Sequence, residues 1–386
     1  MLVIKNGYIK TMDGEDIEKG QIIIENKKIK AIGRDLDIPE DAEVIDAEGL
    51  LVTPGLVEGH CHIGMFEEGI GFEGEDGNES VDPITPHLRA IDGINPMDQG
   101  FQDALEGGVT TAVTGPGSAN VIGGTFAAIK TYGRRIDDMI IKNPVAMKVA
   151  FGENPKRVYD EQRKSPITRM AVAALLRETL FEAKKYMEDL EASKEDPDRK
   201  PDFDMKLHAM LPVMRREIPI KAHAHRADDV FTALRIAKEF DLDITLDHCT
   251  EGHLIVEELK AAGKPCLIGP TFGSRVKVEL RNKSFETPKL LSDAGIKIAI
   301  ITDSNVIPVQ HITMCAGMAV KAGLAEDEAW RAITINPAQI AGIDDRVGSL
   351  KAGKDADIAI FKGNPLLDID YKTVMTIIDG KVVYRG

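Results

Sequence analysis

Short apolar runs alternate with polar or amphipathic stretches along most of the chain. Near both ends the runs are brief, and turn pairs such as Asn6-Gly7 and Asp379-Gly380 separate them, which predicts β-strands joined by tight turns. In the middle, apolar runs alternate with stretches of helical periodicity, such as 228–240 and 253–262. The pattern therefore predicts strands alone at the two ends and repeated strand–helix units between them.

Eight strand-like runs can be counted in the middle of the chain. They are the run that leads to His62, followed by 109–114, 126–130, 146–151, 218–223, 243–248, 265–269 and 296–303. Repeated strand–helix units imply parallel strands with right-handed crossovers, and eight of them fit a (β/α)₈ barrel with its active site at the carboxyl ends of the strands. An open doubly wound sheet is the alternative, but it would not bring the first, fifth, sixth and eighth strands around one point.

The strands at the two ends are too few on either side for a stable sandwich. Together they predict one small β domain made of residues 1–52 and 345–386. The barrel, residues 53–344, would then be inserted between its two halves.

The length of 386 residues fits one large domain with a smaller one. The formal net charge of −15 argues against nucleic acid or an anionic membrane as a partner. The apolar runs are too short for a transmembrane helix, and we expect no signal peptide. A small molecule is therefore the expected partner.

The four cysteines show no paired spacing along the sequence: Cys61, Cys249, Cys266 and Cys315. Free buried thiols are favoured over disulfides, which indicates a reducing compartment, the cytoplasm.

His60 and His62 end an apolar run and stand two residues apart, so in a strand both side chains would face the same side. Such a pair carries little weight alone, because nine histidines produce this spacing by chance. Three further runs, however, end in His223, His248 and Asp303. If these strands are parallel neighbours, their ends meet and form a metal site.

Two segments interrupt the regular spacing, residues 67–100 and residues 167–214, and the second is largely helical. Residues 67–100 are acidic and rich in glycine, and they predict either a long loop over the mouth of the site or a disordered insertion. The glycine-rich stretch 115–124 lacks the Lys-Ser/Thr pair of a phosphate-binding loop, so we interpret it as a tight loop after the second strand.

Four motifs together resemble the amidohydrolase superfamily, in the branch of imidazolonepropionase-like proteins and related metallo-dipeptidases. They are IKNG at 4–7, VTPGLVEGHCH at 52–62, NPA at 336–338 and GSLKAGKDAD at 348–357. The resemblance spans nearly the whole chain. It implies a metal-dependent hydrolase on a distorted (β/α)₈ barrel, flanked by a small β-sandwich domain formed by both termini, and it suggests a homo-oligomer. The substrate does not follow from it.

The resemblance also implies roles for the residues at the strand ends. His60 and His62 would bind a more buried metal, and His223 and His248 a second one. Asp303 would bind the first metal, take a proton from the attacking water and protonate the leaving nitrogen. The alternative for Asp303 is a helix N-cap. Zinc suits these ligands, although manganese, iron and cobalt are not distinguished from it.

The number of metal ions that we expect, one or two, depends on the role of Lys148. This lysine is a charged residue in an apolar run, and a neutral lysine amine can react with carbon dioxide to give an anionic carbamate that bridges two metals. The resemblance implies this role. The alternatives are a salt-bridged lysine at this position, or Glu153 as the bridging carboxylate.

One-metal deaminases of this fold carry a catalytic glutamate just after the histidine of the fifth strand. Here His223 is followed by Ala224-His225-Arg226 with no nearby glutamate, which favours cleavage of a dipeptide or N-acyl amino acid. An imidazolonepropionase-like cyclic amidohydrolase or a deaminase is the first alternative, and a non-catalytic barrel stabilised by metal is the second. The candidate substrate contacts are His225, Arg226, Arg275 and Tyr159.

Overall fold

A computed structural model describes residues 1–69 and 71–386. These residues contain sixteen strands, and the runs counted in the sequence are all among them. The strands are β1 (Leu2–Ile9), β2 (Ile17–Glu25), β3 (Lys28–Gly33), β4 (Glu43–Asp46), β5 (Leu51–Pro54), β6 (Leu56–Cys61), β7 (Val109–Thr114), β8 (Ile122–Lys130), β9 (Ile140–Ala150), β10 (Ile220–Ala224), β11 (Ile244–His248), β12 (Cys266–Ile268), β13 (Ile298–Ile300), β14 (Ile358–Lys362), β15 (Lys372–Ile378) and β16 (Lys381–Arg385).

Helices follow most of the strands in the middle of the chain. They are α1 (Gln99–Glu106), α2 (Ile136–Met139), α3 (Glu153–Glu161), α4 (Arg169–Ala192), α5 (Met205–Met214), α6 (Ala227–Glu239), α7 (Val256–Ala262), α8 (Thr287–Asp293), α9 (Ile312–Lys321), α10 (Glu326–Ala332) and α11 (Ile335–Ala341). The longest, α4, follows Thr168, whose hydroxyl accepts the Ala171 N–H and caps the helix. Within the described parts of the chain, we find no helix with the length and apolar content needed to span a membrane.

The strands near the two chain ends form one sheet in the order β16-β15-β14-β5-β1-β2-β3, with β4 paired to β1. A further bridge joins Lys28, in the edge strand, to Asp355 just before β14, so the sheet curls around its own apolar core. Ile4, Ile22 and Ile358 are fully buried in that core. The extra domain is therefore one continuous curled sheet built from both termini.

Strands β6 to β13 form the second sheet, and each strand pairs with its neighbours in chain order. The two end strands lie side by side: the His62 N–H donates to the Ser304 carbonyl at 2.5 Å, and Glu58 in β6 accepts the Thr302 N–H. The sheet is thus a nearly closed barrel of eight strands, which confirms the predicted distorted (β/α)₈ fold.

Strand β8 departs from the all-parallel arrangement that the sequence predicted, because it pairs antiparallel with both β7 and β9. The link from β7 to β8 consists of residues 115–121 alone, whereas a parallel pair needs a crossover of about a dozen residues or more. The link from β8 to β9 is also short and holds the four-residue helix α2. The short links therefore force the chain to return antiparallel, and this is the distortion of the barrel.

A buried ion-pair cluster joins the barrel to the terminal sheet. Lys130, at the end of β8, donates to Asp355 at 2.8 Å and to Asp357 at 2.5 Å, and all three side chains are nearly inaccessible to solvent. The carboxylates belong to the segment that leads into β14. The cluster therefore links the barrel to the terminal sheet.

Candidate metal centre and active site

Three side chains meet where β6 and β13 end. His60 and His62 come from the end of β6, and Asp303 follows β13. Asp303 Oδ1 lies 3.3 Å from His60 Nε2 and 3.2 Å from His62 Nε2. The structure thus brings together the residues that the sequence predicted for one metal.

A hydrogen bond behind His62 and a close carboxylate behind His60 indicate which ring nitrogen of each faces the centre. His62 Nδ1 lies 2.7 Å from the Gly115 carbonyl oxygen, which can only accept, so Nδ1 carries the proton. His60 Nδ1 lies 3.1 Å from Asp247 Oδ2, which is likewise an acceptor. Both Nε2 atoms therefore present lone pairs to Asp303 Oδ1, which has no well-directed hydrogen bond among the described residues. Two imidazole lone pairs and a carboxylate oxygen that converge in a buried place are what a cation stabilises.

A second group of imidazoles lies beside the first. His223, His225 and His248 have ring nitrogens within 4.8 Å of one another. His248 Nδ1 donates to the Gly269 carbonyl at 2.7 Å, and its buried Nε2 has no partner among the described residues. Burial lowers the pKa of all three rings, that of His248 to about 4, so they are neutral as metal ligands must be.

His225 was predicted to contact the substrate, and the structure places it within this second group. Its ring stacks on that of His248 with centroids 4.5 Å apart, and its Nδ1 lies 2.7 Å from Thr250 Oγ1. His225 follows His223 by two residues, so both face the same side of the barrel end. His225 is therefore a further candidate metal ligand beside those predicted from the sequence. Its contact with substrate stays a prediction.

Two residues at the site have a backbone conformation that is uncommon for side-chain-bearing residues: φ is 72° at His248 and 54° at Asp303. In a regular strand Asp247 and His248 would point to opposite faces. Asp247 contacts His60 inside the barrel. The unusual backbone conformation at His248 lets the His248 side chain reach the same site. Backbone strain of this kind clusters at functional sites.

Lys148 is fully buried on β9 and reaches the first group. Its Nζ lies 3.5 Å from His60 Nε2 and 3.9 Å from Asp247 Oδ2. Burial lowers the pKa of Lys148 to about 8 although Asp247 opposes the change, so a neutral amine is accessible near neutral pH. Glu153, the alternative bridging residue, begins α3 and belongs to neither ligand group.

Asp247 and Lys221 form the layer beneath the ligands, and the sequence analysis missed both. Asp247 Oδ1 accepts from Lys221 Nζ at 3.0 Å, while its Oδ2 faces the His60 ring. Burial would raise the pKa of Asp247, but Lys221 and His60 outweigh it and hold the carboxyl well below its usual range. Each is a charged residue inside an apolar run, the same signal that singled out Lys148.

Glu58, also missed, joins the two strands that carry the first group. Its carboxylate accepts the His60 N–H at 3.0 Å and the Thr302 N–H and hydroxyl at 2.9 and 2.6 Å. Burial raises the pKa of Glu58 to about 7, against the effect of these hydrogen bonds. Glu58 therefore fixes the backbone at both ends of the His60–Asp303 contact.

The ligand types and their free lone pairs fit a divalent metal centre. Residues 51–383 match the profile of the Amidohydrolase family. The chain belongs to this family. The amidohydrolase tasK of Hapsidospora irregularis is 31% identical over 94% of this chain, which spans only 39% of that relative. The imidazolonepropionase of Paracoccus denitrificans (strain Pd 1222) is 26% identical, with 99% of each chain covered.

A solved structure agrees over the full length. The crystal structure of an amidohydrolase from Thermotoga maritima MSB8 is 39% identical, covers 100% of both chains and superposes with a TM-score of 0.97. The protein is therefore an amidohydrolase of the imidazolonepropionase-like branch, a hydrolase that acts on carbon–nitrogen bonds.

A cavity of about 460 Å³ opens beside the ligands of this amidohydrolase. His62, His223, His225 and Asp303 line it, so the candidate metal centre forms part of its wall. Its other walls come from loops that follow the barrel strands, with apolar residues and a few polar ones: Phe66, Asn78, Gly117, Ser118, Asn154, Pro270, Phe272, Gly273, Ser274, Val276, Lys277, Leu280, Lys283, Asn305, Val306 and Ile307.

The acidic segment and the glycine-rich stretch of the sequence both contribute to this cavity. Asn78 lies in the acidic segment 67–100, which supports the prediction of a loop at the mouth; Ile70 falls outside the described residues. Residues 115–121 of the glycine-rich stretch form a loop after β7, as predicted, whereas Gly123 and Gly124 lie in β8. The loop supplies Ser118, whose hydroxyl lies 2.9 Å from His223 Nδ1.

Three of the predicted substrate contacts are absent from the described residues that line the cavity. Arg226 instead forms an ion pair at 2.8 Å with Asp228, its near neighbour in the chain. Arg275 donates to two main-chain carbonyls and so holds its own loop together. Tyr159 is fully buried in the core. The cavity offers other polar groups, chiefly Asn154 and Lys277, which no sequence pattern singled out.

Proposed function

We propose that this amidohydrolase cleaves an amide bond of a small molecule, a dipeptide or an N-acyl amino acid. The observation that carries the proposal is the convergence of His60, His62 and Asp303 with the second imidazole group on one wall of a small cavity. The cavity volume of about 460 Å³ suits a small substrate and excludes a folded protein chain.

Divalent metal ions held by these residues would activate water as a nucleophile and polarise the carbonyl that it attacks. Asp303 has the position for proton transfer, because it lines the cavity and its Oδ1 faces two imidazoles. Burial opposes ionisation of Asp303, and divalent cations held by the neighbouring imidazoles would favour its ionised form. An ionised Asp303 would accept the proton of the attacking water and pass it to the leaving nitrogen.

Two metal ions, bridged by a carboxylated Lys148, are part of the proposal. The buried amine lies between the first group and Asp247, and its lowered pKa supplies the neutral form that reacts with carbon dioxide. The reaction joins the amine nitrogen to the carbon of carbon dioxide and releases one proton. Zinc is the proposed metal, because imidazole and carboxylate ligands suit it. Four free buried cysteines support a reducing compartment, the cytoplasm.

A cyclic amide is the second candidate substrate. The imidazolonepropionase of Paracoccus denitrificans aligns with 99% of this chain, and the structure supplies a carboxylate that is absent from the sequence just after His223. Glu279, from the loop after β12, places its Oε1 3.7 Å from His225 Nε2. This contact keeps an additional acid near the site, which supports the cyclic-amide and the deaminase alternatives alike.

Product analysis tests the two candidates directly. The metal-loaded protein would be assayed on dipeptides, N-acyl amino acids, imidazolones and aminated bases, with and without chelator. The proposal predicts chelator-sensitive release of amino acids from the first two classes. Turnover confined to imidazolones supports the cyclic alternative, and ammonia released from aminated bases alone contradicts both. A protein that binds metal and turns over none of these classes supports a non-catalytic barrel.

A further inference from the structure

Two lysines line the cavity in the described part of the chain, and only one of them is committed to the main chain. Lys283 Nζ donates to the carbonyls of Gly273 and Ser274, at 2.8 and 3.4 Å, so this lysine holds the cavity loop in shape. Lys277 Nζ donates instead to the side chain of Asn154 at 2.5 Å. An ammonium group has three protons to donate, so Lys277 keeps the capacity to bind a ligand.

Asn154 connects this ammonium group to the candidate metal centre. Its Oδ1 accepts from Lys277, and its Nδ2 lies 3.4 Å from His223 Nε2. Lys277 is therefore one side chain away from a proposed ligand of the second metal. An anionic group bound by Lys277 would lie next to the bond that is cleaved.

One carboxylate competes for Lys277. Glu279 Oε1 lies 3.9 Å from Lys277 Nζ, which is too far for a hydrogen bond, and this oxygen has no partner among the described residues. Glu279 therefore takes up none of the protons that the Lys277 ammonium group can donate, and its own buried oxygen is a second unused group at the same corner.

We propose that Lys277, oriented by Asn154, binds the carboxylate of the substrate and selects substrates that carry one beside the scissile amide. The inference rests on the proposed function and names its specificity residue. It replaces the predicted arginines, which the structure places elsewhere. A charge-assisted hydrogen bond in a partly desolvated cavity corresponds to about 10- to 100-fold in kcat/KM.

The test compares two forms of one substrate. The best dipeptide or N-acyl amino acid from the panel would be assayed as the free acid and as its carboxamide, which has the same shape but no charge. The wild-type protein should prefer the acid by about 10- to 100-fold in kcat/KM. Lys277→Met should lower kcat/KM for the acid alone, and Lys277→Arg should restore most of it.

Lys283→Met is the matched control, because it removes a lysine of the same cavity whose role is to hold the loop. It should lower turnover of the acid and the carboxamide by the same factor. Calorimetric binding of the amino-acid product to the metal-loaded protein gives a second readout, and Lys277→Met should weaken it by a similar 10- to 100-fold.

Different results separate failure of this inference from failure of the proposed function. If the wild type cleaves the panel but does not distinguish acid from carboxamide, or if Lys277→Met affects both forms equally, Lys277 is a structural residue and the inference is wrong. If the wild type cleaves no member of either amide class, the proposed function fails, and the inference fails with it.

Discussion

Asp247 holds two donors inside the barrel with its two oxygens, and Asp247→Asn would leave one of them without an acceptor. The Lys221 ammonium lies 3.0 Å from Oδ1, and His60 Nδ1 lies 3.1 Å from Oδ2. Asparagine has the same shape but a single acceptor oxygen and no charge. The variant therefore tests whether this carboxylate supports both the fold and the metal ligand His60.

The structure allows two effects of this substitution to be estimated, the loss of folding free energy and the loss of metal affinity. Asp247 is fully buried and Lys221 is 3% exposed, and removing one partner of a buried ion pair costs about 3 to 5 kcal/mol of folding free energy. Because asparagine keeps one acceptor oxygen, we expect a loss of folding free energy near the lower end of this range, about 3 kcal/mol. Loss of the carboxylate behind a metal-binding imidazole weakens metal affinity by about 10- to 100-fold.

Two assays separate these effects. Chemical unfolding in the presence of chelator measures the stability of the metal-free protein, and titration against a competing chelator measures zinc affinity. The double variant Lys221→Met/Asp247→Asn is the control, because it removes the unpaired ammonium. It should recover most of the lost stability while its zinc affinity stays low. Normal zinc affinity in Asp247→Asn would refute the role assigned to the carboxylate behind His60.

Three further predictions follow from other groups. Asp303→Asn should retain most of its metal while turnover falls by about 10²-fold or more, because the proton acceptor is lost; near-normal turnover contradicts the proton shuttle. Lys148→Met should bind fewer metal ions than the wild type by elemental analysis and lose activity, whereas unchanged metal content argues against a lysine ligand. Although burial opposes the change, Lys130 lowers the pKa of Asp355 from 3.8 to about 2. The ion pair therefore stabilises the fold fully at pH values above 3.8, and this stabilisation is lost as the pH falls toward 2. Lys130→Met should therefore unfold with less acid dependence in that interval than the wild type, as circular dichroism would show.

The sequence alone predicted the barrel and which candidate ligands would lie together, because both depend on strand ends. Apolar runs identify strands, and in a barrel their carboxyl ends meet, so His60, His223, His248 and Asp303 could be placed together without coordinates. The convergence that the structure shows is a consequence of topology more than of local side-chain detail.

Other features of the fold and of the site depend on three-dimensional geometry that the pattern of apolar and polar residues does not indicate. The antiparallel course of β8 follows from the length of its links, which the sequence analysis did not weigh. Lys221 and Asp247 carried the same signal as Lys148 and were overlooked. Lys277 lies in a loop without periodicity, so its place in the cavity follows only from how that loop folds.

The most direct test of the central claim is a crystal structure of the metal-loaded protein with anomalous data at the metal absorption edge. We predict two metal peaks per chain, one at His60, His62 and Asp303 and one at His223 and His248, with added density for a carbamate on Lys148. A single peak together with an unmodified Lys148 would contradict the two-metal centre. Absence of any peak at these residues would contradict the metal site itself.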